Sequence, residues 1–306
     1  MNTPKISPHL QAVLQALFVT FLWSTSWVLI KIGLAEIPAL TFAGLRYSLA
    51  FLCLLLLYSR RQGLGSLRRL DRRQWRQLLA LGIVYYGVTH GAQFLSLAYL
   101  PAVMATLVLG FTPVVVALAG LFILAERPTR WQWGGIVLAL GGLFLYFYPV
   151  SLPAGALIGL VIASIGMLAN AGAAVLGRAI NRTRTLTPLQ VTVVSMGIGA
   201  TLLLATGLWR EGLPALSLKS GLIILWLAVV NTAFAFTLWN HTLRTLSAME
   251  SSLINNTMSV QIPILAVLFL GETLTARGWL GLGVVIAGVL IVQTGRLPKP
   301  NSPLEK

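Results

Sequence analysis

Arg46 is the residue whose chemistry most needs a partner, because its guanidinium lies well inside the apolar run ALTFAGLRYSLAFLCLLLLY. A charge at that depth in a membrane helix costs about 2.5–3.5 kcal/mol on insertion scales, so it faces a cavity or a partner rather than lipid. Two readings follow. Guanidinium pairs with carboxylate through two parallel hydrogen bonds, which suits an anchor for an acidic solute. The same side chain can instead tie down helix-end carbonyls or an acid on a neighbouring helix. The segment AMESSLINNTMSVQIP is a second focus, since Glu250, Ile254, Thr257 and Gln261 share one helical face and Ser251, Asn255 and Ser259 the adjacent one. A span polar on two adjoining faces lines water or a ligand, or bonds its neighbours. Asn255 and Gln261 are therefore candidates for a cavity wall, and Pro263 and Pro113 free backbone carbonyls that can face the same space.

Two titratable residues suit proton chemistry. Glu250 either pairs with nearby Arg244 or serves as a proton-coupling carboxylate. His90, followed by Gln93, either packs as a neutral, hydrogen-bonded imidazole or relays protons from an ordinary pKa of about 6.5. Trp23 and Trp27 share a face one turn apart, and with Tyr85 and Tyr86 they lie deep in their runs. Packing explains these rings, and so does a stacking wall for an amphipathic ligand. Asn170, which repeats the position of Ser24, and Asn231 complete the candidate substrate-binding set. Three histidines without paired spacing and the lone Cys53 predict no metal site, no intramolecular disulfide and no cofactor.

The elements that position these residues must be membrane helices. Hydrophobic residues make up 57% of the chain, charged residues only 9%, and the mean hydropathy is +0.85. Soluble domains carry about 25% charged residues, so this chain lacks the polar surface to meet water everywhere. Apolar runs long enough to span a bilayer recur at 11–32, 38–58, 76–97, 101–124, 131–148, 154–177, 187–208, 220–243, 247–270 and 278–294. The first of them, from Leu10 to Ile32, exceeds the roughly 7–15 residues of a cleaved signal core and reads as a span. Trp131, Trp133, Trp209 and Trp279 stand at run ends as interfacial anchors.

The net charge of +15 would suit nucleic acid, but its distribution argues against such a partner. Seven arginines crowd between Arg60 and Arg76, and most other cations flank apolar runs, as charges that meet anionic headgroups do. With the N-terminus inside, 17 Lys and Arg fall on the cytoplasmic side and 4 on the other, which predicts both termini in the cytoplasm.

The chain also repeats itself. Shifted by 146 residues, Thr41 meets Thr187, Leu97 meets Leu243, Ala102 meets Ala248, Gly135 meets Gly281 and Gly142 meets Gly288. Glu126 meets Glu272, each closing an apolar run (LAERPTRWQW and LGETLTARGW), where they read as caps or as partners of Arg130 and Arg277. Two units of five spans joined in series lie with opposite orientation, an inverted repeat of the kind that transporters use to expose one midplane site to either side. The expected architecture is all-α: ten transmembrane helices as two inverted repeats, at 10–148 and 154–294.

The two five-span repeats, LWSTSW in the first run, GLRYSLA in the second, and the run-ending LAER and LGET together resemble the EamA-type members of the drug/metabolite transporter superfamily. The resemblance extends from about Leu10 to Thr294 and implies a multi-pass inner-membrane transporter, often an exporter of amino acids or amphipathic metabolites. It further implies a central cavity between the halves and peripheral fifth and tenth helices, in a monomer or homodimer. The second half departs from the pattern: Ser259 replaces the counterpart of Pro113 and the proline falls at Pro263, so the ninth helix is expected to kink elsewhere. A nucleotide-sugar or sugar-phosphate carrier of the same superfamily is a closer alternative than an enzyme, but would want two or more intramembrane cations. A membrane enzyme acting on phosphates would need a carboxylate cluster for Mg²⁺, whereas the chain contains one aspartate, Asp71.

Overall fold

A computed structural model describes residues 7–116, 129–148, 155–182, 185–242, 245–246 and 254–294, and within these residues the regular structure is entirely helical. In chain order the helices are α1 (Pro8–Gly33), α2 (Ala39–Gln62), α3 (Arg72–Tyr99), α4 (Ala102–Leu109), α5 (Arg130–Phe147), α6 (Ala156–Arg182) and α7 (Pro188–Arg210). Then come α8 (Leu218–Ala228, continued through Val229–Phe234 and Ala235–Thr242), α9 (Met258–Leu270) and α10 (Ala276–Thr294). Six of them are long and apolar enough to cross a membrane: α1, α2, α3, and the stretches Ala156–Gly177, Pro188–Arg210 and Leu218–Trp239.

Local chemistry sets the helix starts. Ser7 caps α1, its hydroxyl accepting from the Leu10 N–H, and Pro8 follows where a missing N–H costs nothing. Asp71 and Gln74 cap each other reciprocally, as do Thr129 and Gln132. The Asp71 box moves the start of α3 to Arg72, ahead of the boundary expected at 76, and Leu64–Arg69 forms a short 3₁₀ turn inside the arginine-rich connection. Gly63 ends α2 at φ 73°, a left-handed conformation open to glycine at little cost.

Both α3 and α8 contain a stretch of π-helix, at Gly82–Thr89 and Val229–Phe234. Shifted by 146 residues, the first falls on 228–235, over the second. A π turn widens the helix and leaves carbonyls displaced from the regular ladder. In each stretch a threonine hydroxyl reaches back to one of them, Thr89 to Val84 O and Thr232 to Leu227 O.

The chain divides into two compact units. The first comprises Met1–Leu109 and Leu152–Thr273, the second Gly110–Ser151 and Leu274–Lys306. In the first unit α2 and α7 run antiparallel, since Gly44 lies against Leu204 and Gly207 against Thr41. The π stretch of α3 packs equally closely on α7. A Cβ on Gly82 would stand 2.7 Å from Ser195 O, and one on Gly199 2.6 Å from Gly82 O. α1 and α9 run in the same direction, joined at Thr20–Thr257 and Ser24–Gln261. In the second unit α5 and α10 cross antiparallel over four glycines: Gly135 faces Gly288, and Gly142 faces Gly281. Gln132 Nε2 donates to Val292 O and Arg277 Nη1 to Tyr148 O along the same pair.

Candidate functional site

The first unit gathers most of the described candidates around α1, α2, α3 and α8. Arg46, 5% exposed, projects from α2 to α8, where Nε donates to Thr232 Oγ1 at 3.2 Å. Its guanidinium carbon lies 5.2 Å from the Tyr47 ring centroid and 5.9 Å from that of Phe94. Ring quadrupoles attract a desolvated cation by about 2 kcal/mol or more. Neither tie expected from the sequence is present: among the described residues Arg46 touches no carboxylate and no helix-end carbonyl.

His90 directly follows the π stretch of α3, its ring 4.7 Å from Tyr47, 4.8 Å from Tyr85 and 5.6 Å from Tyr86. Nδ1 lies 3.2 Å from Gln93 Oε1, while Nε2 is buried with no partner. A buried polar atom without a partner costs on the order of 1–3 kcal/mol, so this nitrogen marks a place where an acceptor or donor is missing. Tyr85, Tyr86, His90 and Tyr47 thus form an aromatic wall beside the guanidinium.

A second aromatic group lies on α1 and α8. Trp23 packs on Phe236 and Trp239 at 5.3 and 5.2 Å, and its Nε1 is also buried without a partner. Trp27 is buried one turn on and joins no ring cluster among the described residues. Between the two groups Asn231 is fully buried and donates from Nδ2 to Leu22 O, Thr25 Oγ1 and Ser26 Oγ, leaving Oδ1 unpartnered.

The polar residues of the ninth run divide. Gln261 accepts from Ser24 at 2.8 Å and donates to Thr257 at 3.0 Å, so it ties α9 to α1. Asn255 is exposed, Asn170 is half-buried on α6, and Glu250 lies outside the described residues, as do Ser251, Arg244 and Glu126.

Acidic and basic side chains instead close one end of this unit. Glu272 caps a helix other than its own, accepting from the N–H groups of Ala102 and Val103 at the start of α4. Lys31 donates to Leu97 O and Leu100 O at the end of α3. Glu211 accepts from Leu40 N and Thr41 N at the start of α2, and Glu36 from Ser217 and Ser220 at the start of α8. Each pairing sets a charge against the favourable end of a helix dipole.

Sequence reasoning passed over Thr232, Phe236 and Trp239. The signal was available: in the 146-residue register they are the counterparts of Tyr86, His90 and Gln93.

Long apolar helices, a buried cation amid aromatic rings and charged caps at the helix ends mark a multi-pass membrane protein. The EamA-like transporter family matches residues 10–148 and again 157–294, and the chain belongs to that family. It is 27% identical over 302 residues to the uncharacterized transporter YvbV of Bacillus subtilis, across 94% of this chain and 93% of that one. The uncharacterized inner membrane transporter YedA of Escherichia coli K12 is likewise 27% identical, over 94% of this chain and 93% of its own. A probable amino-acid metabolite efflux pump of Salmonella typhimurium is 26% identical, over 90% and 92%. One solved crystal structure shares the fold, with a TM-score of 0.65 at 17% identity, over 92% of this chain and 96% of that one. The protein is a multi-pass transporter of the inner membrane.

Proposed function

We propose that this transporter is a secondary carrier that exports a small organic solute bearing a carboxylate, an amino acid or an amphipathic metabolite, by alternating access. The observation that carries the reading is Arg46: a buried guanidinium that bonds Thr232 through Nε and is set beside an aromatic wall. A solute carboxylate pairs with the guanidinium and its apolar part stacks on the rings. The export direction draws support from the Salmonella relative named as an efflux pump.

Ten spans in two inverted repeats, at 10–148 and 154–294, with cytoplasmic termini, make the frame for this motion. The family match to each half, the two π stretches in one register and the antiparallel crossing of α5 and α10 support it. So does the bias of 17 cations against 4. The charged caps lie at the end away from the arginine-rich connection, and their release accompanies opening there. His90 and Glu250 are the candidates for coupling to protons, His90 because its Nε2 is buried and free of a partner. A nucleotide-sugar carrier would need a second cation at the site, and Lys31 is already committed to the end of α3.

Flux measured in proteoliposomes against a panel of amino acids and metabolites, with and without a pH gradient, tests the reading. Saturable movement of a carboxylate-bearing solute that falls with Arg46→Gln is expected. Absence of flux across the panel would sink it, and flux indifferent to the gradient would remove the proton role of His90 and Glu250.

A further inference from the structure

A cleft of about 810 Å³ lies in the first unit between the C-terminal half of α2, the start of α7 and the last turns of α8. It is distinct from the Arg46 group. One part of its wall is apolar, with Leu54, Leu57, Phe236 and Leu238, and the other is polar, with Arg61 and His241. Phe234, 48% exposed, belongs to the lining as well, so the cleft opens sideways toward whatever surrounds the helices. In a membrane protein that surrounding is the bilayer.

Beside the cleft the two halves of the chain differ at corresponding places. Where α3 meets α7, Gly82, Gly87, Gly91 and Gly199 bring the helices into contact. In the 146-residue register their counterparts on α8 and α2 are Ala228, Ala233, Thr237 and Cys53. Each carries a side chain where the other crossing has none, and Thr237 lines the cleft.

Charge selects the occupant. Arg61 lies in the last turn of α2 next to Arg60, and five further arginines follow up to and including Arg76. The acid in that stretch, Asp71, is engaged in the helix cap with Gln74. An apolar slot with a cationic mouth at a helix end matches a lipid with an anionic headgroup in shape and in sign. We propose that the cleft binds one anionic phospholipid, its acyl chain along Leu54, Leu57 and Leu238 and its phosphate on Arg61.

The test replaces Phe234 with the photoreactive p-benzoylphenylalanine and reconstitutes the full chain in vesicles of equal parts phosphatidylglycerol and phosphatidylcholine. Mass spectrometry then counts the adducts of each lipid. Phosphatidylglycerol adducts are expected to exceed phosphatidylcholine adducts about fivefold, the preference that one interfacial arginine confers. Adding Arg61→Gln, at an exposed helix end, should bring the ratio near one, while Arg68→Gln with Arg69→Gln should leave most of the preference. A ratio near one in the parent would overturn the proposal. So would a ratio that Arg61→Gln leaves unchanged, or one that the arginine pair abolishes equally, since that reports bulk attraction to the basic connection. Loss of both adducts on adding a transported solute would also overturn it, by making the cleft a solute path. Flux is read separately in the same vesicles, so the carrier assignment and the lipid site stand or fall independently.

Discussion

The third and eighth helices occupy corresponding places in the two halves of the sequence, yet one meets its neighbour over glycines and the other over side chains. On α3, glycines let the π stretch meet α7 backbone to backbone, as at Gly82 and Gly199. On α8, the corresponding places carry side chains, and its contact with α2 includes a buried polar bond, Arg46 to Thr232. Close packing of small residues is the main source of helix association in lipid, where no hydrophobic force drives it. A crossing that carries side chains in place of these glycines packs less closely and is easier to part. The comparison teaches that a duplicated scaffold can be tight on one side and hold its functional cation on the other.

Gly199→Leu breaks the tight crossing most directly. Its Cβ would meet the Gly82 carbonyl and the Tyr86 side chain, and neither can move without shifting α3. Overpacking costs about 1–3 kcal/mol and occasionally more, and this site belongs at the upper end. Thermal unfolding in detergent should show a large loss, whereas Cys53→Leu at the corresponding place on α2 should cost less than about 1 kcal/mol. Equal losses would erase the distinction between the crossings.

At the loose crossing the expected effect is on transport. Arg46→Lys keeps the charge and loses the planar fork, so flux of a carboxylate solute should fall roughly ten- to a hundredfold, in line with about 1.5–3 kcal/mol for a charge-assisted bond. Full activity of this variant would assign Arg46 to packing alone.

The end caps should act more mildly and on stability. Glu211→Ala removes the acceptor from the first N–H groups of α2, and lost caps cost about 0.5–2 kcal/mol. The same change at Glu272 should cost as much at α4, and a thermal shift far outside that range at either site would argue against simple capping.

The smallest effect is predicted at Glu36. Hydrogen bonds from Ser217, then Ser220, hold its carboxyl below the ordinary value of 4.5, with Lys219 adding to the shift. A depressed carboxylate contributes stability that is complete above the unfolded value and is lost as pH falls through the folded one. The melting temperature should therefore begin to fall below about pH 4.5, and Glu36→Gln should lower it at neutral pH while flattening that acid limb. A variant with an unchanged pH profile would show that the Glu36 contacts do not outlast solvent screening.

Much of this was legible in the chain itself. Membrane residence followed from composition, and the helix starts at Ser7, Asp71 and Thr129 followed from capping residues within three positions of the groups they bond. Arg46 announced itself by standing in an apolar run. Its partners did not, because Thr232 lies 186 residues away and is an ordinary threonine in sequence. Glu272 was legible as a cap but not as the cap of a helix 170 residues earlier. The polar ninth run read as a cavity wall or as a bonding partner of its neighbours, and only the structure ties Gln261 to α1, since periodicity gives a face but not what the face meets.

The sequence alone determined the solvent and the register, because hydropathy and the recurrence of residue types at a fixed interval are properties of the chain that need no contact to exist. Tertiary structure decided which crossings closed and which partners the charges met. Those outcomes depend on distances of a few ångströms between segments far apart in sequence, such as the 2.6 Å left to a Cβ at Gly199 or the 3.2 Å from Arg46 to Thr232, and only packing sets them.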